Sequence, residues 1–326
     1  MRIRIVFILS LILIGCSDKQ EEQASKVVYP KVDLVSNITN SIAGEAISLT
    51  FKADTDIYNI KLQIKNAFGS VLLSPDASKK ENIVFQIPKN YTRVAGPCRW
   101  QLLVDGHTLQ KGTVDIATNA PKATYIESYF GPRSVTAGNN DFSMLTIAPT
   151  DAYDNPLDDG TPVTVKYQFQ DNIDELQIET ESFFAFYNVR STLKSGRILV
   201  TAECNGTSSK ELATIVYPDN AVNFSISSSS AHNYADGNQI ITFKSDVIKD
   251  QYGNIVTNGT LVTFVIKNDQ DAYLYTIGTT INGVAEAKTL HPDKAATWEI
   301  QAFVTGAAES NTDNFTFKAV IKDYPV

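Results

Sequence analysis

The sequence lacks most of the residue patterns on which enzymes and metal proteins depend. It has three cysteines and three histidines, and no cysteine pair or His-x-x-x-His pair is close enough to chelate zinc. Serine-nucleophile signatures and glycine-rich phosphate loops are absent as well. No pair of carboxylates stands out from the others as an acid and base for sugar hydrolysis. We therefore expect no enzyme activity and no cofactor, and we expect His107, His232 and His291 to be scattered surface residues.

Positive charge is also scarce. The chain has 28 lysines and arginines against 36 aspartates and glutamates, a formal net charge of −8. Binding to a nucleic-acid backbone needs clustered lysine and arginine, which this composition does not supply. We expect no nucleic-acid partner.

No apolar run is long enough to span a bilayer, which takes ~20 residues, but a short one opens the chain. A basic start, residues 1–4, precedes an apolar run over 5–14 that only Ser10 interrupts. This order is typical of a secretory signal peptide. The sequence Leu-Ile-Gly-Cys at 13–16 resembles the lipobox of bacterial lipoproteins. The resemblance implies that residues 1–15 are removed and that Cys16 is lipidated; the alternative is an ordinary signal peptide that contains a cysteine.

The residues after Cys16 bear on location. Loss of Arg2 and Arg4 with the leader leaves 26 basic and 36 acidic residues, a net charge of −10. Residues 16–29 are polar and are predicted to be a flexible tether. Ser17 in place of an aspartate favours the outer membrane, and the stretch 18–22 resembles surface-export tethers of Bacteroidetes lipoproteins. We expect a lipid-anchored outer-membrane protein exposed at the surface, with a periplasm-facing orientation as the alternative.

The rest of the chain shows short alternating runs that predict β-strands. Ile47, Leu49 and Phe51 alternate with polar residues, and Cys98, Trp100, Leu102 and Val104 form another such row. Regular short strands over 30–117 predict a β-sandwich. Trp298 lies in a similar row, so both tryptophans are predicted core residues. Cys98 and Cys204 are predicted buried thiols, with a disulfide as the alternative.

An internal repeat defines two further domains. Residues 151–165 align with 250–264 at an offset of 99, and seven of the fifteen positions are identical. Two homologous domains are therefore predicted over 122–217 and 220–322. The short joints at 118–121 and 217–219 contain proline and are expected to be stiff.

The repeated segment resembles a known family. Ala-Asp-Gly-Asn at 235–238, Asp-Gln-Tyr-Gly-Asn at 250–254 and Asn-Gly-Thr-Leu-Val-Thr-Phe at 258–264 resemble the bacterial immunoglobulin-like (Big-1) domains of the intimin/invasin adhesins. The domain over 122–217 keeps the first part of the pattern and departs later. The resemblance implies three tandem immunoglobulin-like β-sandwiches, an all-β fold, in a rod that displays a binding surface.

One aromatic cluster is the candidate partner-contact site. Phe183, Phe184, Phe186 and Tyr187 fall where the last domain has a polar turn, so they are predicted to crowd a hairpin tip. Exposed aromatic residues usually mark contact surfaces. The alternative is a shifted alignment in which these residues form an ordinary buried strand. Tyr129 and Phe130 are weaker candidates of the same kind.

An acidic run is the weak metal candidate. Asp151, Asp154, Asp158 and Asp159 could hold Ca²⁺, but their spacing does not match an EF-hand loop. The alternative is a solvated hairpin.

We expect a membrane-anchored surface lipoprotein that acts in adhesion or as a structural spacer. Its expected partners are the membrane, through the lipid on Cys16, and a protein or glycan. The alternative is a carbohydrate-binding accessory lipoprotein of an outer-membrane uptake complex.

Overall fold

The structure is a computed structural model that describes residues 29–77, 82–120 and 123–320. Nearly all regular structure in these ranges is β-strand, which confirms the all-β prediction. The predicted leader, the tether up to residue 28 and Cys16 lie outside the described residues. Within the described ranges, no helix has the length and apolar character needed to cross a membrane.

The described chain divides into two compact units. The first contains the described residues up to Ser41 together with Glu45–Ile116, and the second contains Ile42–Gly44 and the described residues from Ala117 onward. The elements of the first unit and its boundary are β1 (Val32–Leu34), β2 (Asn40–Ile42), β3 (Ser48–Ala53), β4 (Ile60–Asn66), β5 (Gly69–Leu73), β6 (Ile83–Gln86), α1 (Lys89–Thr92), β7 (Gly96–Val104) and β8 (His107–Ala117). They form two sheets with strand orders β1-β3-β6 and β2-β8-β7-β4-β5.

The core of the first unit lies between these two sheets. Phe51 of β3 and Trp100 of β7 contact each other edge to face, with ring centroids 5.6 Å apart. Phe85 of β6 also contacts Phe51 edge to face, with ring centroids 6.0 Å apart. Alternation with a period of two places these side chains on the inner faces of both sheets. Trp100 is 5% exposed, so its predicted core position is confirmed.

The second unit contains two sandwiches, each with its own core. The strands of the first, the middle sandwich, are β9 (Thr124–Gly131), β10 (Ser134–Thr136), β11 (Phe142–Asp151), β12 (Pro162–Phe169), β13 (Asn172–Glu179), β14 (Ala185–Arg190), β15 (Gly196–Cys204), β16 (Thr207–Ser208) and β17 (Leu212–Tyr217). One sheet has the order β14-β11-β9, and the other has the order β10-β17-β15-β12-β13 with β16 paired to β15. Leu145 and Ile147 of β11 share a core with Val163 and Val165 of β12.

The C-terminal sandwich follows the same plan. Its strands are β18 (Ile226–Ser230), β19 (Ile240–Ser245), β20 (Leu261–Asn268), β21 (Tyr273–Ile281), β22 (Val284–Leu290), β23 (Ala296–Val304), β24 (Ala308–Glu309) and β25 (Asp313–Phe317). The strand order is β18-β19-β22-β21-β20-β23-β24, with β25 paired to β23. Phe243 and Phe264 are fully buried and stack at 5.9 Å in its core. Trp298, 7% exposed, packs on Phe317 in the same core, as predicted.

Candidate functional site

The repeated motif organises a loop around one buried carboxylate. Asp250 is 3% exposed and accepts hydrogen bonds from the backbone N–H groups of Tyr252 (2.9 Å), Asn254 (2.8 Å) and Asp219 (2.9 Å). The Asn254 side-chain amide also donates to it at 2.8 Å. Burial alone would raise the pKa of Asp250, but these hydrogen bonds outweigh it and hold the pKa below its usual value. The Asp-x-Tyr-x-Asn pattern thus closes the loop on itself and onto the segment before β18.

Asp151, the last residue of β11, plays the same part in the middle sandwich. It is fully buried and accepts hydrogen bonds from the backbone N–H groups of Asn119 (2.9 Å), Tyr153 (2.8 Å) and Asn155 (3.0 Å). Burial raises its pKa and the hydrogen bonds lower it by more, so the pKa again lies below the usual value. The repeated sequence segment therefore forms the same set of backbone hydrogen bonds to a buried aspartate in both sandwiches.

The C-terminal copy of this loop docks on the middle sandwich. The Asn254 amide donates to the Leu193 carbonyl at 2.8 Å, and its carbonyl oxygen accepts from the Ser195 N–H at 2.9 Å. The Lys194 ammonium donates to the carbonyl of Tyr252 at 3.0 Å. The Tyr252 side chain itself packs against the core of the middle sandwich. The two sandwiches are thus joined by specific contacts in addition to their short linker.

The predicted aromatic cluster begins in a tight turn directly before β14 of the middle sandwich. Glu181 and Phe184 exchange backbone hydrogen bonds of 2.7 and 3.2 Å around Ser182 (φ 50°) and Phe183 (φ 78°). The C-terminal sandwich has Gly283 (φ 81°) at the position of Phe183. Glycine adopts a left-handed conformation freely, whereas a bulky side chain pays a strain of about 1–3 kcal/mol. The middle sandwich therefore keeps a phenylalanine where local conformation favours glycine.

The structure separates the four predicted contact residues into two groups. Phe183, Phe184 and Phe186 are 59%, 48% and 58% exposed. Tyr187 points to the inner side of β14, is half-buried and stacks on Tyr167 at a centroid distance of 6.1 Å. Burial, then the neighbouring Tyr187 hydroxyl, raise the pKa of Tyr167 to about 12. Three of the four residues are placed for contact, and their binding role stays a prediction.

Register across β9, β11 and β14 extends the exposed cluster into a sheet face. Thr146 of β11 lies opposite Phe186 of β14 on one side and opposite Tyr129 of β9 on the other. Directly opposed residues point to the same side of a sheet, so these three form one row. We define the aromatic face as the exposed apolar side chains on this side and at the adjacent turn: Tyr125, Tyr129, Phe142, Met144, Phe183, Phe184 and Phe186.

The aromatic face is large enough for a macromolecular contact. Its members are between 39% and 66% exposed. At roughly 100 Å² of exposed surface for each side chain, it presents about 700 Å². A standard interface takes about 800 Å² from each partner.

The same side of the C-terminal sandwich is polar at its centre, and the opposed pair Ile240 and Leu290 at one end is exposed and apolar. Glu286 takes the place of Phe186 and lies opposite Lys244, which in turn lies opposite Ser227. Lys288 forms a 2.9 Å ion pair with Glu286 on this side. Since two sandwiches of one fold differ here in chemistry, folding does not require the aromatic side chains of the middle one.

The acidic run does not assemble as a metal site. Asp151 is buried and engaged by N–H donors, whereas Asp154, Asp158 and Asp159 are exposed. The described residues contain no group of three acidic, histidine or cysteine side chains placed to hold a metal ion. The alternative of a solvated hairpin is wrong for Asp151, because this carboxylate is the buried centre of the loop.

The expectation for the histidines is wrong in one case. His291 is 3% exposed, its Nε2 lies 2.6 Å from the Ser230 hydroxyl and its Nδ1 lies 2.8 Å from the carbonyl of Tyr234. The ring of His232 is 5.3 Å away. His291 occupies the place of the buried Ser191 in the middle sandwich. Both of its ring nitrogens have hydrogen-bond partners there. His107 is exposed at the start of β8.

Cys98 and Cys204 are buried and unpaired, as predicted. Burial raises the pKa of Cys98 to about 11 and raises that of Cys204. A thiol with a raised pKa forms little of the reactive thiolate near neutral pH. Both thiols therefore act as small core side chains.

Sequence reasoning missed three members of the aromatic face, namely Tyr125, Phe142 and Met144. Phe142 and Met144 do alternate with the buried Ser143 and Leu145, which marks an outward row on β11. The row joins the other members of the aromatic face only through the pairing of β11 with β9 and β14. The prediction for Phe130 is wrong, because its side chain is 4% exposed and belongs to the core of the middle sandwich.

Comparison with known proteins supports the fold. No family model and no curated protein matches the chain. Among solved structures, the Escherichia coli adhesin FdeC superimposes with a TM-score of 0.54 at 14% identity, covering 89% of this chain and 96% of that one. Invasin, described as a bacterial integrin-binding protein, superimposes with a TM-score of 0.54 at 13% identity, covering 90% of this chain and 60% of that one.

These likenesses define the class of fold. The chain is built from immunoglobulin-like β-sandwiches of the kind found in invasin and FdeC, which confirms that prediction. The number of domains and their boundaries stay predictions.

Proposed function

We propose that the chain is an adhesion-type surface protein whose binding surface is the aromatic face. The observation that carries this proposal is the contrast between the aromatic face and its polar counterpart around Lys244 and Glu286. Exposed apolar surface is costly in water and is retained where it contacts a partner. The structures of FdeC, described as an adhesin, and of invasin, described as an integrin-binding protein, support the same class of function.

The shape of the surface favours a large partner over a small substrate. The aromatic face lies on an open three-stranded sheet and an exposed turn. Small-molecule sites are concave and bury most of their ligand, which a flat sheet does not. We propose binding without catalysis.

Substitution of Phe184 and Phe186 tests the proposal. In a non-adherent bacterium that displays the full chain, F184S/F186S should reduce attachment to epithelial, bacterial or abiotic surfaces at least tenfold. Exposed aromatic residues at the centre of an interface each contribute roughly 2 kcal/mol or more, and 1.4 kcal/mol is tenfold in affinity. The melting temperature should change by less than about 3 °C, because neither side chain is buried.

A matched control lies on the other sandwich. The E286S/K288S variant alters the same side of the C-terminal sandwich and should leave attachment unchanged. Unchanged attachment of the F184S/F186S variant would refute the role of the aromatic face. A large fall in its melting temperature would show instead that the two phenylalanines stabilise the fold.

We further propose that Cys16 anchors the chain to the outer membrane through lipid, with the sandwiches outside the cell. The C16S variant should lose incorporation of a labelled fatty acid and leave the membrane fraction, whereas S17A should keep both. A C16S chain that stays labelled and membrane-bound would contradict the anchor. Release of the middle and C-terminal sandwiches by protease from intact cells would support surface exposure over the periplasm-facing orientation.

Two tyrosines support a second candidate function, glycan binding in an uptake complex. Tyr125 and Tyr129 lie on the aromatic face four residues apart on β9 and are 57% and 66% exposed. Aromatic rings with a polar hydroxyl suit the faces of sugar rings as well as protein surfaces. Clear affinity of the full chain for one polysaccharide on a glycan array would favour this function over adhesion through a protein.

A further inference from the structure

One edge strand of the C-terminal sandwich is apolar and carries no charge. β21 pairs with β20 along residues 273–279, and with β22 only at Thr280 and Ile281. In the described part of the chain, the other edge of residues 273–277 has no strand partner. This segment contains four side chains that are 46% to 63% exposed: Tyr273, Leu274, Tyr275 and Ile277.

The corresponding strand of the middle sandwich shows how such an edge is kept free. Among the strands that the structure describes, β13 pairs only with β12, and its acidic residues are Asp174, Glu175 and Glu179. Glu175 lies opposite Lys166 and forms a 3.3 Å ion pair with it. Charges on an edge strand oppose the addition of another strand. Tyr275, opposite Val265, takes the place of Glu175, so β21 lacks this protection.

We propose that β21 pairs antiparallel with β21 of a second copy of this chain, about a two-fold axis at Tyr275. In this register Tyr275 faces its own equivalent, Tyr273 faces Ile277 and Leu274 faces Thr276. Aromatic and β-branched side chains directly opposed across antiparallel strands stabilise the pair. No charged residue of segment 273–277 meets a like charge, because the segment contains none.

The free segment itself favours a second copy as the occupant. A two-fold axis at Tyr275 sets the alternating side chains Tyr273, Tyr275 and Ile277, each more than half exposed, against the same three side chains of the second chain. An isologous interface of this kind needs only one self-complementary strand. Pairing over five residues is short for a protein interface, and interfaces below about 1,200 Å² are weak or transient. The dimer population should therefore depend on protein concentration, and its detection should require a covalent cross-link.

A cysteine on the proposed axis supplies the trap. Directly opposed residues of antiparallel strands have Cα atoms about 4.5 or 5.5 Å apart, and a disulfide accepts about 4.4–6.8 Å. The Y275C variant of the full chain, treated with a mild oxidant in cells, should migrate mainly as a dimer in non-reducing gel electrophoresis. A reductant should convert this dimer to the monomer. Cys98 and Cys204 are buried and the sulfur of Cys16 is the proposed point of lipid attachment, so the unsubstituted chain should stay monomeric under the same treatment.

The middle sandwich supplies the matched control. E175C places a thiol at the corresponding point of β13 and should remain monomeric. Adding Y273K to Y275C puts a charge on the edge and should reduce the dimer at least tenfold, whereas adding F184S/F186S should not reduce it. The proposal is overturned if the Tyr275→Cys thiol reacts with a maleimide but forms no dimer. It is also overturned if that thiol links only to a different protein.

Discussion

Replacement of Asp250 by alanine should destabilise the C-terminal sandwich by about 3 kcal/mol. The buried carboxylate accepts four hydrogen bonds from three residues, Asp219, Tyr252 and Asn254. A hydrogen bond to a charged group contributes about 1.5–3 kcal/mol, and contributions from one network do not add fully. The variant also leaves these N–H donors buried without an acceptor. The docked side chain of Asn254 should lose its orientation, so the joint to the middle sandwich should loosen as well.

The two tryptophans make this effect measurable. Trp298 is the only tryptophan of the second unit, so W100F leaves a single fluorescent reporter in the C-terminal sandwich. Denaturant unfolding followed by Trp298 emission should show a lower midpoint for Asp250→Ala. The control is Asp246→Ala, an exposed aspartate of the same sandwich, which should change stability by less than about 0.5 kcal/mol. Equal midpoints for both variants would contradict a structural role for Asp250.

The dependence on pH has a definite sign. The pKa of Asp250 is lowered in the folded state, so the folded state binds its proton less readily than the unfolded chain does. The stabilisation from this carboxylate is therefore complete above its unfolded pKa of ~3.9 and is lost as the pH falls through the lower folded pKa. The stability difference between the unsubstituted chain and Asp250→Ala should be constant from pH 7 to 5 and should shrink below about pH 4.

The fold was predictable because its signals are local. The alternating rows that include Phe51, Trp100 and Trp298 predict inward-facing strand positions, and all three side chains are buried. The repeat between 151–165 and 250–264 predicts two copies of one structure, and the structure repeats the same hydrogen bonds around Asp151 and Asp250. Strand alternation and an internal repeat can be recognised in the sequence without knowing which distant residues are in contact.

The site was predictable only in part because it depends on register and on distant partners. Phe184 and Phe186 are adjacent in sequence to the turn that exposes them, so their placement follows from alignment with the other repeat. Phe142 joins them only through the pairing of β11 with β14. The burial of Asp151 depends on Asn119, 32 residues away, and the burial of His291 depends on Ser230, 61 residues away. Sequence spacing contains no signal for these contacts.

Gly278→Ala should also destabilise the C-terminal sandwich, by about 2–3 kcal/mol. In an ordinary strand this substitution is stabilising by roughly 0.5–1 kcal/mol, because alanine loses less backbone freedom on folding. At Gly278 the added Cβ would meet the carbonyl oxygen of Glu286 and, at 2.9 Å, its carbonyl carbon. Both are backbone atoms of β22 and have no rotamer by which to move away. Overpacking of this kind costs typically 1–3 kcal/mol, so the sign of the usual effect is reversed.

The position of the clash explains why glycine is needed there. β21 leaves its pairing with β20 near Thr279 and pairs with β22 at Thr280, so the two strands converge at Gly278. The middle sandwich has Ile178 opposite Val163 at the corresponding place, where β12 is the one strand partner of β13 within the described ranges. Unfolding followed by Trp298 emission should show a lower midpoint for Gly278→Ala and little change for the exposed neighbour Thr279→Ala. A Gly278→Ala chain as stable as the unsubstituted one would mean that β21 and β22 separate without cost.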